Sequence, residues 1–148
     1  MKTAKQFESL LHELGACSEA VRWAHGKTLH VVWTTCKRGD WLLWLVGKMA
    51  DKKGWPTRKQ AVLAACDCAE KALKYVKEGE DRPRLAIQTA RKWARGKATL
   101  GEVRKAYAAA DAAYAYADAA AADASYAARA NALAESADLV RKRLKEPK

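Results

Sequence analysis

The sequence predicts an all-α protein: a compact bundle of about six short helices followed by one long alanine-rich C-terminal helix. Three observations carry this expectation. Helix-start signatures recur, each a threonine with Gln or Glu three residues later: Thr3 with Gln6, Thr57 with Gln60 and Thr99 with Glu102. In such a pair the hydroxyl accepts from an early backbone N–H and the Gln or Glu reaches back to the cap. Glycines stand where apolar periodicity stops, at Gly15, Gly26, Gly39, Gly54, Gly79 and Gly96, as expected of a residue that ends helices in the left-handed conformation. Finally, 18 of the 29 residues 106–134 are alanine, the strongest helix former.

Taken in order, the first helix is expected over 3–14, with Phe7, Leu10, Leu11 and Leu14 on one face at helical spacing. A short second helix follows over 18–25, with Ser18 as a candidate cap. The third is placed over 28–37 and the fourth over 40–52, the latter with Asp40 as its candidate cap. The fifth spans 57–78, where Val62, Cys66, Ala69, Leu73 and Val76 alternate steps of four and three. Pro83 suits the first turn of a sixth helix that runs to Arg95. The seventh opens near Leu100, and no proline interrupts it before Pro147. From 100 to 145 it would be about 70 Å long, against a radius of gyration of about 15 Å for a domain of this size. It must therefore project, break or pack against a second copy. Asn131 and Ala124-Ser125 are the expected break points. Tyr107 and Tyr114, and likewise Asp111 and Asp118, are seven apart, a spacing that suits a helix–helix seam and a homodimer.

The 148 residues fit one helical domain, with residues 1–98 as a basic body and 99–146 as the long helix. Half of the residues are apolar, enough for a core without staples. No apolar run follows Met1 that would read as a signal peptide, and the longest strongly apolar run, Trp41 to Val46, is far short of the roughly 20 residues that span a bilayer. The expectation is a cytoplasmic protein with no membrane partner. In a reducing compartment Cys17, Cys36, Cys66 and Cys68 read as small buried apolar residues rather than disulfides. His12, His25 and His30 make no metal-ligand spacing with them, so neither metal nor cofactor is expected.

Charge is the most unusual bulk property. The formal net charge is +11, and residues 1–105, with 22 Lys and Arg against 11 Asp and Glu, account for it alone. A basic field attracts an acidic protein, an anionic small ligand such as a nucleotide, or nucleic acid. The mildly acidic middle of the long helix, with Asp111, Asp118 and Asp123 against Arg129, disfavours an extended nucleic-acid face.

Two stretches concentrate residues able to recognise a partner. In Trp33-Thr34-Thr35-Cys36-Lys37-Arg38-Gly39-Asp40-Trp41-Leu42-Leu43-Trp44, the indoles of Trp41 and Trp44 share a helical face. They read either as core or as a stacking platform. Arg38-Gly39-Asp40 spells a cell-adhesion tripeptide, but here reads as a helix stop followed by a cap. In Gly79-Glu80-Asp81-Arg82-Pro83-Arg84, two arginines sit at a helix start. They could hold a phosphate or carboxylate beside the positive helix end, or simply pair with the neighbouring acids. Arg91, Lys92, Arg95 and Lys97 continue the basic run as a solvated face, and Trp93 closes the stretch. The two stretches together are the expected binding surface, walled in by the long helix. There is no Ser-His-Asp-type neighbourhood, no phosphate-cradling glycine loop and no paired catalytic carboxylates, so no catalytic residue is assigned.

These motifs carry a resemblance. Trp33…Cys36-x-Arg38-Gly39-Asp40-Trp41-Leu42-Leu43-Trp44-Leu45, Ala64-Ala65-Cys66-x-Cys68-Ala69, Gly79-Glu80-Asp81-Arg82-Pro83-Arg84-x-Ala86-Ile87…Trp93-Ala94-x-Gly96 and the alanine-rich tail together resemble the putative immunity protein family of bacteria and phages, over residues 16–144. The resemblance implies a non-enzymatic protein that neutralises a toxin or, in a phage, a component of host defence. The positions that match are Trp33, Cys36, Asp40, Trp41, Trp44, Asp81, Arg82, Pro83 and Trp93. Helix 3–14 falls outside it. The leading expectation is therefore an immunity or anti-defence inhibitor. The alternatives are a sponge for an anionic signalling nucleotide, with phosphate on Arg82 and Arg84 and the base on Trp41 or Trp44, and a basic nucleic-acid-binding protein.

Overall fold

The computed structural model describes residues 3–106 and 126–148. Among them every regular element is a helix: α1 Ala4–Glu13, α2 Ser18–Ala24, α3 Leu29–Thr35, α4 Gly39–Met49, α5 Arg58–Ala72, a 3-10 turn Leu73–Tyr75, and α6 Arg82–Ala94. Residues 100–106 are helical (α7), and α8 spans Tyr126–Arg143.

The three capping pairs read from sequence are formed. Thr3 and Thr57 each accept from the N–H of the glutamine three residues on, and that glutamine reaches back to the cap N–H. Thr99 and Glu102 do the same ahead of α7, at 3.2 and 2.6 Å. Gly15, Gly26 and Gly96 follow the ends of α1, α2 and α6 with positive φ; Gly54 and Gly79 share that conformation but lie beyond α4, which ends at Met49, and α5, which ends at Ala72 and not at residue 78.

Gly39 departs from this pattern. It is the first residue of α4, buried, with ordinary φ. A Cβ built on it would lie 2.4 Å from the Ser136 Cβ and 2.6 Å from the Ala137 nitrogen, so its role is to let the backbone of α8 approach. Asp40 therefore lies inside the first turn and is not the cap, which is Arg38. Ser18 likewise is helical, and Cys17 precedes α2 without a side-chain cap. Helix α4 also stops earlier than residue 52. Asp51, just past the Ala50 cap of α4, takes φ 66°, and its carboxylate turns forward to accept from the Arg58 N–H at 2.9 Å, a second acceptor at the start of α5 beside the Thr57 cap.

Helix α8 packs on α4 and α5, α5 on α6 and α4, and α1 on α2. Phe7 and Leu11 of α1, Leu42 and Val46 of α4, and Ala137 and Val140 of α8 meet in one buried cluster. Asp67 of α5 ties three helices, receiving Arg91 of α6 at 3.1 Å and Arg143 of α8 at 2.6 Å. Arg91 also reaches Glu70 and so does not belong to a solvated basic face. No break occurs at Asn131, where α8 is continuous. The Ala124-Ser125 break, the Tyr107/Tyr114 and Asp111/Asp118 pairs and the continuity of a single helix from 100 to 145 fall on residues 107–125, outside the described residues. For α8 itself the packing partner is within the chain, because Ala137 and Val140 are buried against α4 and α5.

Candidate functional site

The turn between α3 and α4 is fixed from a distance. Arg141 of α8 donates to the Trp33 carbonyl at 2.6 Å and to the Cys36 carbonyl, and its other edge meets Asp138 at 3.0 Å. The buried Cys36 Sγ accepts from the Arg38 N–H at 3.4 Å. Burial pushes the Cys36 thiol up from its ordinary value, against the opposing Arg38 hydrogen bond and the Arg141 charge, so it is a poor nucleophile. Held in this way, the turn sets where Arg38, Asp40 and Trp41 stand.

Arg38 makes a fork to Asp40, at 2.9 and 2.7 Å, approaches Glu19 of α2 at 3.4 Å and lies 4.3 Å over the Trp41 ring. Planar guanidinium suits both the carboxylate fork and the stack. Partial burial opposes ionisation of Asp40. The Arg38 hydrogen bonds and charge, with the N–H groups of the helix start, outweigh it and hold the carboxyl below its ordinary value.

Between α1, α2, α3 and α4 lies a cavity of about 360 Å³, at the lower end of the range for small-molecule sites. Phe7, Trp23, Trp41, Trp44 and Leu45 are prominent in its walls, and among the described residues lining it Asp40 alone is charged. Trp23 and Trp41 meet at 5.9 Å between centroids with planes tilted by 58°. Of the residues singled out by sequence, Asp40, Trp41 and Trp44 line this cavity and Arg38 stands beside it. Trp33 does not; its side chain is in the core, 4% exposed.

The second stretch lies elsewhere. Arg82 grips Glu80 through Nε at 2.7 Å, Nη2 and its own backbone N–H at 3.1 Å. These bonds, with the Arg82 charge, lower the Glu80 carboxyl from 4.5 to about 2. Arg84 pairs with Asp81 at 2.5 Å. The anion seat at the start of α6 is thus filled by the chain's own carboxylate, the local pairing that the sequence left as an alternative. Trp93 is half-buried on α6, whose principal packing partner is α5. No residue of 80–95 lines the α1–α4 cavity; α6 docks on α5, with Arg91 reaching Asp67 and Glu70.

Sequence reasoning missed Trp23 and Arg141. Trp23 sits on a seven-residue helix, too short for periodicity to assign a face. Arg141 is one of five Lys and Arg residues in 135–148, and nothing local marks its carbonyl partners. Of the cysteines, Cys36 and Cys66 are buried and Cys68 half-buried, whereas Cys17 is exposed and lies at the cavity edge. Among the described residues no group of three or more His, Cys, Asp or Glu is placed to hold a metal ion, and no helix is long and apolar enough to cross a membrane.

A family model described as Imm-5 like putative immunity protein matches residues 56–138. The chain belongs to this family. The matched residues run from the turn before α5 through α6 and α7, and cover α8 as far as Asp138. Asp81, Arg82, Arg84 and Trp93 lie inside the match, while the cavity walls contributed by α1–α4 lie before it. No curated protein and no solved structure matches the chain.

Proposed function

We propose that this protein is a non-enzymatic inhibitor that binds and neutralises one component of a bacterial or phage conflict system, a toxin or a defence protein. Membership of the immunity-protein family is the observation that carries the reading. The charge of +11 supports an acidic partner. The test is co-expression with the toxic product encoded beside the gene, or with host defence systems if the gene lies in a phage early region. Restored growth or restored phage plating, with a co-purifying complex, is expected. No protection in either setting, or robust turnover of nucleic acid or nucleotide by the purified chain, overturns it.

The nucleotide-sponge reading loses support from the geometry. It needs phosphate on Arg82 and Arg84 and a base on Trp41 or Trp44, yet the arginines are paired with Glu80 and Asp81 and do not line the cavity that the indoles line. Nucleic-acid binding by the basic body would show as affinity that falls linearly with salt on logarithmic axes.

A further inference from the structure

Arg82, Arg84 and Arg91 face the chain's own carboxylates, but the stretch from the last turn of α6 into α7 holds cations that do not. Lys92, Arg95, Lys97, Arg104 and Lys105 are all exposed, and among the described residues none of them is in an ion pair. Against these five, residues 92–106 offer a single carboxylate, Glu102, and it is engaged by the Thr99 N–H at 2.6 Å. The same surface carries exposed apolar area: Leu85 on α6 is 51% exposed and Leu100 at the start of α7 is 49% exposed. Between the two helices runs an open cleft of about 380 Å³, lined by Arg82, Leu85 and Thr89 of α6 and by Glu102, Lys105 and Ala106 of α7. Lys92 continues the Leu85–Thr89 face of α6. The Thr99 hydrogen bonds, with the Lys92 charge, hold the Glu102 carboxyl below its ordinary value, so Lys92 stands beside the cleft. One exposed leucine by itself means little. A leucine in a cleft rimmed by cations without carboxylate partners has the anatomy of a protein interface, an apolar centre with a polar rim.

We infer that the α6–α7 cleft docks an acidic protein, which seats an apolar side chain against Leu85 while carboxylates around that side chain meet Lys92, Lys105 and the neighbouring cations. That this protein is the one neutralised rests on the inhibitor reading above. The cleft lies inside the residues that carry the family match. A second copy of the chain does not suit the face, because it would bring cations against cations. A nucleic-acid backbone gains nothing from the leucines, and Glu102 in the wall repels phosphate.

The probe is a short helical peptide with leucines along one face and glutamates beside them, titrated into the isotope-labelled full chain at physiological ionic strength and followed by NMR. Saturable amide shift changes centred on 82–106 are expected. The same peptide with serines for its leucines, or with lysines for its glutamates, binds about fivefold more weakly or worse. Leu85→Ser weakens the leucine–glutamate peptide about fivefold, and Lys92→Glu combined with Lys105→Glu about tenfold. Lys52→Glu combined with Lys53→Glu, at exposed positions outside the family match, changes its affinity by about twofold at most. Unfolding midpoints are measured on each variant, and Leu85→Ser, at an exposed position, keeps the test decisive if the charge reversals perturb the fold. No saturable binding, shift changes centred elsewhere, equal affinity for the serine peptide, or equal losses in the two charge-reversal pairs overturns the proposal, as does tighter binding of a DNA duplex to the same face. Growth protection separates this proposal from the inhibitor reading. If the wild type protects and Lys92→Glu with Lys105→Glu protects equally, the docking face is overturned and the inhibitor reading stands. If the wild type protects against nothing while the peptide binds at 82–106, the inhibitor reading fails and the docking face stands.

Discussion

Arg141 shows how much one side chain can determine. Its guanidinium satisfies the carbonyls of Trp33 and Cys36 at the α3–α4 turn, and a buried acceptor left without a donor costs about 1–3 kcal/mol. Arg141→Met is expected to destabilise by about that amount, read as a lowered urea midpoint, and to loosen the turn that positions Trp41. A Trp fluorescence shift at zero denaturant would report the second effect; an unchanged midpoint would remove Arg141 from this role. Glu80 offers a different kind of test. Its folded-state pKa, about 2, lies below the ordinary 4.5, so its pairing contributes to stability above about pH 4.5, and the contribution is lost as pH falls through about 2. A carboxyl NMR titration is expected to find that midpoint near 2, and Arg82→Gln to move it back up towards the ordinary carboxylate range. Because Arg82 is exposed and Glu80 only half-buried, added salt should also raise it.

At the scale of elements, the α4–α8 contact depends on the absence of a side chain. A methyl group at Gly39 would meet the Ser136 Cβ at 2.4 Å and backbone atoms of Ser136 and Ala137 at 2.7 and 2.6 Å. Backbone cannot rotate away as a side-chain tip can, so α4 and α8 must separate. Gly39→Ala is expected to destabilise by about 1–3 kcal/mol, measured by chemical denaturation, although alanine is the better helix former. A neutral or stabilised variant would mean that the two helices do not approach as described. The same element illustrates what was legible. A glycine between two apolar runs reads naturally as a helix stop. Its true role depends on α8, far along the chain, and leaves no local trace. Helix starts fared better, since Thr3, Thr57 and Thr99 each find their partner three residues away.

For the whole molecule, the charge of +11 sets long-range behaviour. If the neutralised partner is acidic, raising salt from 0.1 to 1 M shortens the screening length from about 10 Å to about 3 Å and should weaken the complex about tenfold or more, mainly through slower association. Calorimetry and stopped-flow mixing at the two salt concentrations check this. Salt-independent affinity would place recognition on apolar contacts. Part of the charge is already committed internally: Arg38, Arg82, Arg84, Arg91, Arg141 and Arg143 all face carboxylates of the chain itself. The long-range field is therefore carried largely by lysines.

What the sequence determined by itself is the helical class, the starts of α1, α5 and α7 and the glycine stops after α1, α2 and α6. These depend on interactions within four residues, and capping hydroxyls and left-handed glycines act the same way whatever surrounds them. It also brought Asp40, Trp41 and Trp44 to notice, because indoles three apart must share a helix face. Only the tertiary structure decided that Trp33 belongs to the core, that Trp23 joins the cavity from another helix, and that the 80–95 stretch turns to α5 instead of to the indoles. Those outcomes depend on which helix faces fit together. Arg141 and the Trp33 carbonyl, 108 residues apart, meet only because α8 can lie against Gly39, and no local propensity encodes that meeting.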